Sequence, residues 1–161
     1  MLLDEADVLV RLGHGENFAR RILLCNFLPL SSYKKLLGQN LIMEEKVTSK
    51  IDGKDEKFYQ VKLTEEGKNF IRSLKNVTEK ELSLGIYELG WLLRIGCGNV
   101  REFNIWMWTP CKSTVYCNLK DKNYIEVDSD SKYLRLTPKG EKCVSKIINK
   151  ALENSYSITT S

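Results

Sequence analysis

The chain has 161 residues, of which 42% are hydrophobic and 29% are charged, and its formal net charge is +4. These proportions are typical of a globular protein and exclude a disordered chain, and no stretch approaches the ~20 apolar residues of a membrane helix. A pI near 8.7 permits a polyanionic partner. Basic nucleic-acid-binding domains usually exceed a pI of about 9, so any such binding depends on where the charges lie.

The five cysteines indicate a reducing compartment. Their number is odd and no two have CxxC spacing, so a disulfide framework is a poor fit. A zinc site built from Cys97, Cys111, Cys117 and Cys143 would need spacings that match no common metal-binding pattern. The first seven residues lack the basic and apolar segments of a secretion signal. We therefore expect a cytoplasmic protein with no metal ion, no cofactor and no membrane segment.

The first half of the chain predicts three helices, a two-stranded hairpin and a fourth helix. Apolar residues recur three or four positions apart in the helical segments, and they alternate in the strands. The pair Asp52-Gly53 is typical of a tight hairpin turn, and Thr64 can cap the helix that follows. In chain order, the helices are expected at 2–13, 16–26 and 33–39, the strands at 41–47 and 58–63, and the last helix at 64–75.

The second half predicts the same order. Thr78 is followed three residues later by Glu81, which is the capping-box pattern of a helix start. Pro138 stands in the first position of a helix, where its missing N–H costs nothing. The helices are expected at 77–96, 99–108 and 115–122, the strands at 124–127 and 133–136, and the last helix from 138 to 153. The polar end, 154–161, is expected to be a flexible tail.

The two halves also share sequence at a constant shift of 83 positions. Residues 11–15 (RLGHG) return as 94–98 (RIGCG), and the same shift pairs Leu36 with Leu119 and Ile42 with Ile125. After a deletion of ten residues, 63–67 (LTEEG) aligns with 136–140 (LTPKG). A repeat of this kind predicts two copies of one small unit. We place unit 1 at 1–76 and unit 2 at 77–153, followed by the tail 154–161.

The order of elements in each unit resembles the winged helix-turn-helix superfamily. In many members the hairpin, or wing, ends in Leu-Thr, two variable residues and Gly, and then enters a final helix, as at 63–67 and 136–140. The resemblance covers both units and implies an α+β fold of two tandem winged-helix units, each with three helices, a two-stranded wing and a C-terminal helix. Members that bind DNA place the third helix in the major groove and the wing on a neighbouring groove or the backbone.

This resemblance implies a double-stranded DNA-binding protein, in the role of a transcriptional regulator, whose contacts come from the third helices and the wings. Lysines and hydroxyls suit phosphates, and an amide such as Gln39 can reach a base edge. Unit 1 is the stronger candidate, because its third helix has two lysines and no acidic residue. The candidate residues are Ser32, Tyr33, Lys34, Lys35, Gln39, Lys50 and Lys54 in unit 1, and Lys112, Thr114, Lys120 and Lys122 in unit 2.

The alternative is a non-catalytic adaptor in a multi-protein complex. Acidic residues such as Asp55 and Asp130 lie among the lysines of the wings, and neither third helix has an arginine, the commonest reader of guanine. Residues 106–108 (WMW) add aromatic surface, and the last helix carries a long apolar stripe. That stripe has two uses that the sequence does not distinguish: packing on unit 1, or forming a homodimer through 139–153.

No enzymatic activity is expected. The single histidine, His14, is not tied by any motif to a nucleophile or a carboxylate. The glycines on either side of it are more simply explained as residues that end a helix.

Overall fold

The computed structural model describes residues 1–14, 28–98, 100–101 and 110–159. Two antiparallel two-stranded sheets, β1–β2 and β3–β4, accompany the helices, so the fold is α+β as predicted. The helix expected at 16–26 and the aromatic run 106–108 lie outside the described residues. Of the helix expected at 99–108, only Val100 and Arg101 are described, and they are not helical, since Arg101 forms an antiparallel bridge with Tyr133. The described helices are α1 (Leu3–Gly13), α2 (Leu30–Gly38), α3 (Glu65–Leu82), α4 (Ile86–Gly96), α5 (Pro110–Asp121) and α6 (Pro138–Thr159), and the strands are β1 (Ile42–Ile51), β2 (Lys54–Leu63), β3 (Ile125–Val127) and β4 (Leu134–Leu136).

The shift of 83 positions seen in the sequence also relates the elements. It places the whole of α1 on α4, the end of α2 on the end of α5, and the start of β1 on the start of β3. The equivalent residues Asn40 and Asn123 both have positive φ, 56° and 59°. Asparagine tolerates this left-handed conformation better than most residues, so the same turn joins helix to strand in both units.

A threonine ties that turn to the start of the final helix in each unit. Thr64 donates its hydroxyl hydrogen to the backbone oxygen of Asn40, and its oxygen accepts from the backbone N–H of Gly67 at 3.0 Å. The equivalent Thr137 donates to the backbone oxygen of Asn123 at 2.6 Å and accepts from the Gly140 N–H at 3.0 Å. We call this arrangement the threonine latch. It satisfies a free amide of the helix start and fixes where the hairpin ends.

The glycine of the latch is required by space. A Cβ atom on Gly67 would lie 2.1 Å from the backbone oxygen of Leu41, and one on Gly140 would lie 2.2 Å from that of Tyr124. Because that oxygen belongs to the backbone of the turn, it cannot move aside without displacing the turn. The Leu-Thr-x-x-Gly repeat is thus a packing constraint as well as a cap.

The two units pack on each other through equivalent helices. Helix α1 lies against its counterpart α4, and α3 lies against its counterpart α6. Equivalent surfaces meet in this way in a two-fold symmetric dimer, so the chain has the internal arrangement of a dimer fused end to end. Leu9 and its equivalent Leu92 are both buried, and one continuous hydrophobic core includes residues from both units.

The boundary predicted between residues 76 and 77 falls inside a helix. Helix α3 continues to Leu82, and Thr78 donates to the backbone oxygen of Leu74 at 2.6 Å instead of capping a helix start. Val77 and Thr78 are both buried, so their packing extends α3 and overrides the local capping signal. The single helix predicted over 77–96 is therefore two helices, separated at Ser83, which has φ 53°.

The last helix also differs from the prediction. It extends to Thr159, through most of the segment 154–161 that was expected to be flexible. Its apolar stripe is buried, through Val144, Ile147, Ile148 and Ala151, and the helix packs on α3. Packing within the chain therefore buries much of this stripe, and a homodimer through 139–153 stays a prediction. Within the described ranges, none of the helices has the length and apolar character needed to cross a membrane.

The latch glycine supports a test of the fold. Gly67→Ala should lower the free energy of unfolding by about 3 kcal/mol, because overpacking against a fixed backbone atom costs on this order. Gly38→Ala is the matched control, since nothing lies within 4 Å of a Cβ at that position, and alanine there should be neutral or slightly stabilising. Urea denaturation of both variants measures the difference. Equal loss of stability in the two variants would contradict the packing constraint.

Candidate nucleic-acid interface

Two of the residues predicted on α2 are buried. Ser32 and Tyr33 are 5% and 3% exposed. The Tyr33 hydroxyl donates to the carboxylate of Glu44 on β1. Both were expected to contact DNA, and burial excludes that role for them in this conformation, because their polar atoms face the protein. Tyr33 instead attaches α2 to the first hairpin, β1–β2.

Lys35, another predicted contact, is engaged by a buried carboxylate. Its ammonium lies 3.0 Å from Oε1 of Glu5, a side chain with 0% exposure. The same oxygen accepts from the backbone N–H of Leu2 at 3.4 Å, at the start of α1. Oε2 of Glu5 has no hydrogen-bond partner within the described residues. The Lys35 charge therefore compensates a buried anion and is not fully available to a phosphate.

Unit 2 has the same arrangement at the equivalent positions. Glu88, 83 residues after Glu5, accepts from the side-chain amide of Asn118 at 2.5 Å and from the backbone N–H of Gly85 at 3.4 Å. Asn118 is the equivalent of Lys35. We call this arrangement of a first-helix glutamate and a third-helix side chain the glutamate clamp. Because it occurs in both units, we infer that it holds the first helix of a unit to its third. We therefore assign Lys35 a structural role.

The exposed part of α2 is smaller than predicted. Lys34 and Gln39 are solvent-exposed, as expected of residues that contact a partner. Lys34 lies on the side of α2 opposite the core residue Leu36, whereas Gln39 directly follows α2, three positions after Leu36, and lies nearer the side of Leu36. Of the five candidates in this segment, these two remain available to a partner in solution.

The first hairpin presents a basic face. The strand register pairs Lys46 with Tyr59, Thr48 with Lys57 and Lys50 with Asp55. Directly paired residues lie on the same face of an antiparallel ribbon, as do residues two apart on one strand. Three lysines, Tyr59 and one acidic residue therefore share one side of the outer hairpin. We call this set, Lys46, Lys50, Lys57 and Tyr59, the basic face.

The basic face is on the same side of the hairpin as α2. Nearer the core, this side carries Ile42 and Val61, which are buried, and Glu44, which receives the Tyr33 hydroxyl from α2. Tyr59 is 39% exposed and offers an aromatic surface among the lysines. Its place beside Lys57 follows from the two-residue period of the strand, a signal that the sequence also contains.

Lys54 does not belong to the basic face. It pairs with Ile51 at the end of the strands, so it points to the opposite side from Lys50. That opposite side is more apolar, with Met43, Val47 and Phe58, and it carries an ion pair of 2.5 Å between Glu45 and Lys62. The two hairpin lysines predicted as contacts, Lys50 and Lys54, therefore point to opposite sides of the hairpin, and a partner that lies flat against one side contacts only one of them.

The predicted contacts of unit 2 are dispersed. Lys112 lies in α5, and its side chain is outside the described part of the structure. Thr114 and Lys120 are exposed, and the Lys120 ammonium lies 5.6 Å from the ring centroid of Tyr116. Lys122 is half-buried and donates to the backbone oxygen of Leu82, the last residue of α3, at 3.2 Å. Lys122, which directly follows α5, therefore attaches that helix to the end of α3.

The second hairpin carries three acidic residues, Glu126, Asp128 and Asp130, against two basic ones, Lys132 and Arg135. Its strands have three residues each. Backbone N–H groups of Ser131 and Asp130 donate to Asp128 at 3.1 and 2.9 Å and hold the pKa of that carboxyl below its ordinary value. Arg135 lies 2.9 Å from Glu126 and 3.7 Å from Asp128. Charged acids at this turn repel phosphate, and the arginine beside them is already paired.

The described histidine, cysteine and acidic residues are the side chains that could form a metal site. Among the described residues, no group of three or more His, Cys, Asp or Glu side chains could hold a metal ion. Burial, together with the charges of Asp7 and Asp4, raises the pKa of the Cys97 thiol to about 11. Cys97 therefore stays protonated near neutral pH, and protonated thiols are poor nucleophiles.

The glutamate clamp leads to a stability prediction. Lys35→Ala should lower the free energy of unfolding by about 2 kcal/mol, because it leaves the Glu5 carboxylate buried without its cation; the exposure of Lys35 keeps the cost below that of a fully buried pair. Lys34→Ala, its exposed neighbour, should change stability by less than about 0.5 kcal/mol.

A double-mutant cycle identifies the cause. When Glu5→Gln is combined with Lys35→Ala, the loss should be smaller than the sum of the two single losses by about 1 kcal/mol, since the uncompensated charge is gone. Denaturant unfolding of the four proteins gives the coupling energy. Strict additivity would mean that Lys35 does not stabilise the fold through Glu5.

Comparison with protein-family models, with curated proteins and with solved structures found no match. The candidate interface is therefore defined by its own geometry. It consists of Lys34 on α2, Gln39 directly after α2, and the basic face of the first hairpin.

Proposed function

We propose that the protein binds double-stranded DNA through unit 1 and serves as a transcriptional regulator. In this proposal Lys34 of α2 and Gln39, the residue that follows α2, contact the DNA, and the basic face of the first hairpin contacts the adjacent phosphates. The observation that supports it most is the strand register, which gathers three lysines and a tyrosine on the side of the hairpin attached to α2. Unit 2 is the platform on which unit 1 is held.

The expected binding is largely electrostatic. Lysines that neutralise phosphates release condensed counterions, and the logarithm of the affinity then falls linearly with the logarithm of the salt concentration. Four contacts, from Lys34 and the three lysines of the basic face, correspond to a slope of about −3.6. Affinity should therefore be modest at physiological salt. Sequence preference would come from Gln39, since lysine contacts to phosphate carry little base information.

The proposal also makes the DNA site asymmetric. A symmetric pair of winged-helix units would read two half-sites, but the second hairpin is short and acidic and Lys122 is engaged at α3. A single half-site is then sufficient. The repeat would serve the stability of the core more than the length of the DNA contact.

A protein-interaction module is the second candidate, and one observation favours it. The side of the first hairpin opposite the basic face carries Met43, which is 46% exposed, along with half-buried Val47 and Phe58. Apolar side chains on a two-stranded ribbon are a common docking surface. In this alternative the apolar side is essential, and charge reversal on the basic face has little effect.

Fluorescence anisotropy with a labelled random duplex tests the proposal. Replacing Lys46, Lys50 and Lys57 together by glutamate should weaken binding about 10- to 150-fold, which corresponds to about 0.5–1 kcal/mol for each lysine. The matched control replaces the exposed lysines Lys75, Lys80 and Lys142 of α3 and α6 by glutamate, which changes the net charge by the same amount. It should bind much more tightly than the basic-face variant.

The salt dependence provides a second readout. Between about 50 and 200 mM salt, the unmodified protein should lose affinity with the slope given above, and the basic-face variant should show a shallower slope. Equal weakening in the basic-face and control variants would mean that net charge alone attracts DNA. An absence of binding at low salt would exclude the DNA proposal and leave the protein-interaction module.

A further inference from the structure

The first hairpin has a long outer edge on β1. The ten residues of β1 pair with β2 in an unbroken register, and within the described residues β2 is the only strand that pairs with β1. Ten residues at about 3.4 Å each give an edge of about 34 Å. Short length, proline and β-bulges are common ways to keep such an edge from pairing with another chain. β1 has none of these features.

The turn of the hairpin determines which backbone groups of β1 face outward. Asp52 and Gly53 both have positive φ, 51° and 77°, which is the geometry of a two-residue type I′ turn. The two residues that flank such a turn form a hydrogen-bonded pair, and hydrogen-bonded pairs then alternate along the antiparallel ladder. The odd-numbered residues of β1 therefore bond to β2. The N–H and C=O groups of the even-numbered residues, from 44 to 50, point away from it.

This edge is accessible because the hairpin projects from the core. The buried residues of the two strands are Ile42 and Val61, at the base of the hairpin, and from residue 44 to the turn no residue of β1 is buried. On the side opposite the basic face, β1 presents apolar side chains at every fourth position. Met43 is 46% exposed, and Val47 and Ile51 are half-buried.

β1 is complementary to a second copy of itself in one register. When two β1 strands pair around a two-fold axis, only outward-facing residues exchange backbone hydrogen bonds, so even positions face even positions. An axis at Val47 meets this requirement and places residues of compatible chemistry opposite each other. In that register Met43 faces Ile51 of the second copy, Glu44 faces its Lys50, Glu45 faces its Ser49, and Lys46 faces its Thr48.

The neighbouring registers are unfavourable. An axis at 45 or 46 places Glu45 or Lys46 directly opposite the same residue of the second copy, and an axis at 48 places Lys46 opposite Lys50. Like charges that face each other directly destabilise a sheet. An axis at 49 pairs only residues 47–51. With the axis at 47, Lys46 lies only diagonally from its own copy, at about 7–8 Å, where repulsion is weaker.

We propose that two copies of the protein pair through β1 and form a four-stranded antiparallel sheet centred on Val47. The outward-facing residues exchange about eight backbone hydrogen bonds across this interface. Because the two-fold axis is perpendicular to the sheet, both basic faces lie on one side of it and the apolar side chains lie on the other. Each copy still presents one unit 1, so the dimer presents two. The pairing does not depend on DNA binding, and it uses a different surface from 139–153.

Sedimentation velocity of the full chain tests the pairing. Between about 1 and 100 μM, the mass should rise from 18.6 kDa towards twice that value. Val47→Lys places two ammonium groups directly opposite each other and should weaken self-association at least tenfold. Ser49→Lys is the matched control, since it adds the same charge on the same side of the strand but faces Glu45 of the second copy. It should associate at least as tightly as the unmodified protein.

A cysteine at the axis tests the register. Directly opposite residues of a non-hydrogen-bonded pair have Cα atoms about 4.5 Å apart, within the range of disulfides. Val47→Cys should therefore form a disulfide-linked dimer under mild oxidation. Ser49→Cys is the control, because Ser49 faces Glu45 and lies far from its own copy, and it also measures the background from the five native cysteines.

Three results would overturn the proposal. The first is a chain that stays monomeric at about 100 μM. The second is equal self-association of Val47→Lys and Ser49→Lys, which would place any dimer contact on another surface. The third is a folded Val47→Cys variant that crosslinks no more than Ser49→Cys. If circular dichroism shows that Val47→Lys does not fold, the comparison of the two cysteine variants decides the question.

Discussion

The threonine latch is the constraint on which the rest of this structure depends. In each unit the threonine hydroxyl accepts a hydrogen bond from the backbone N–H of a glycine and donates one to a backbone oxygen of the turn before the hairpin. The glycine lies so close to that turn that no side chain fits at its position. The latch fixes the end of the hairpin and the start of the final helix together. Because the final helices α3 and α6 pack on each other, the two latches also determine how the units meet.

What the two units share is scaffold, and what distinguishes them is surface and charge. The glutamate clamp occurs in both units, with lysine as the partner in one and asparagine in the other. The hairpins diverge most: ten-residue strands carry the basic face in unit 1, and three-residue strands carry acids in unit 2.

Burial separates the candidate site from its scaffold. Side chains that face other parts of the fold, such as Tyr33 and Lys122, have protein partners, and their polar groups serve the fold. Lys34 and the lysines of the basic face lie outside these contacts and carry the positive surface of unit 1. A lysine that compensates a buried carboxylate and a lysine on an exposed ribbon have the same sequence signature, but only the second can exchange its counterions for phosphates.

The sequence alone determined the features that depend on residues close together in the chain. These are the repeat, the α+β class, the hairpin at Asp52-Gly53 and the caps at Thr64 and Thr137. Turn geometry and helix capping involve residues only a few positions apart, so the sequence shows them directly. Tertiary structure decided the rest. It carried α3 through a capping signal at Thr78, buried Ser32, directed the stripe of α6 onto unit 1 and sorted Lys50 from Lys54 by strand register. Each of these outcomes depends on which distant surface covers a side chain, and local patterns carry no information about that surface.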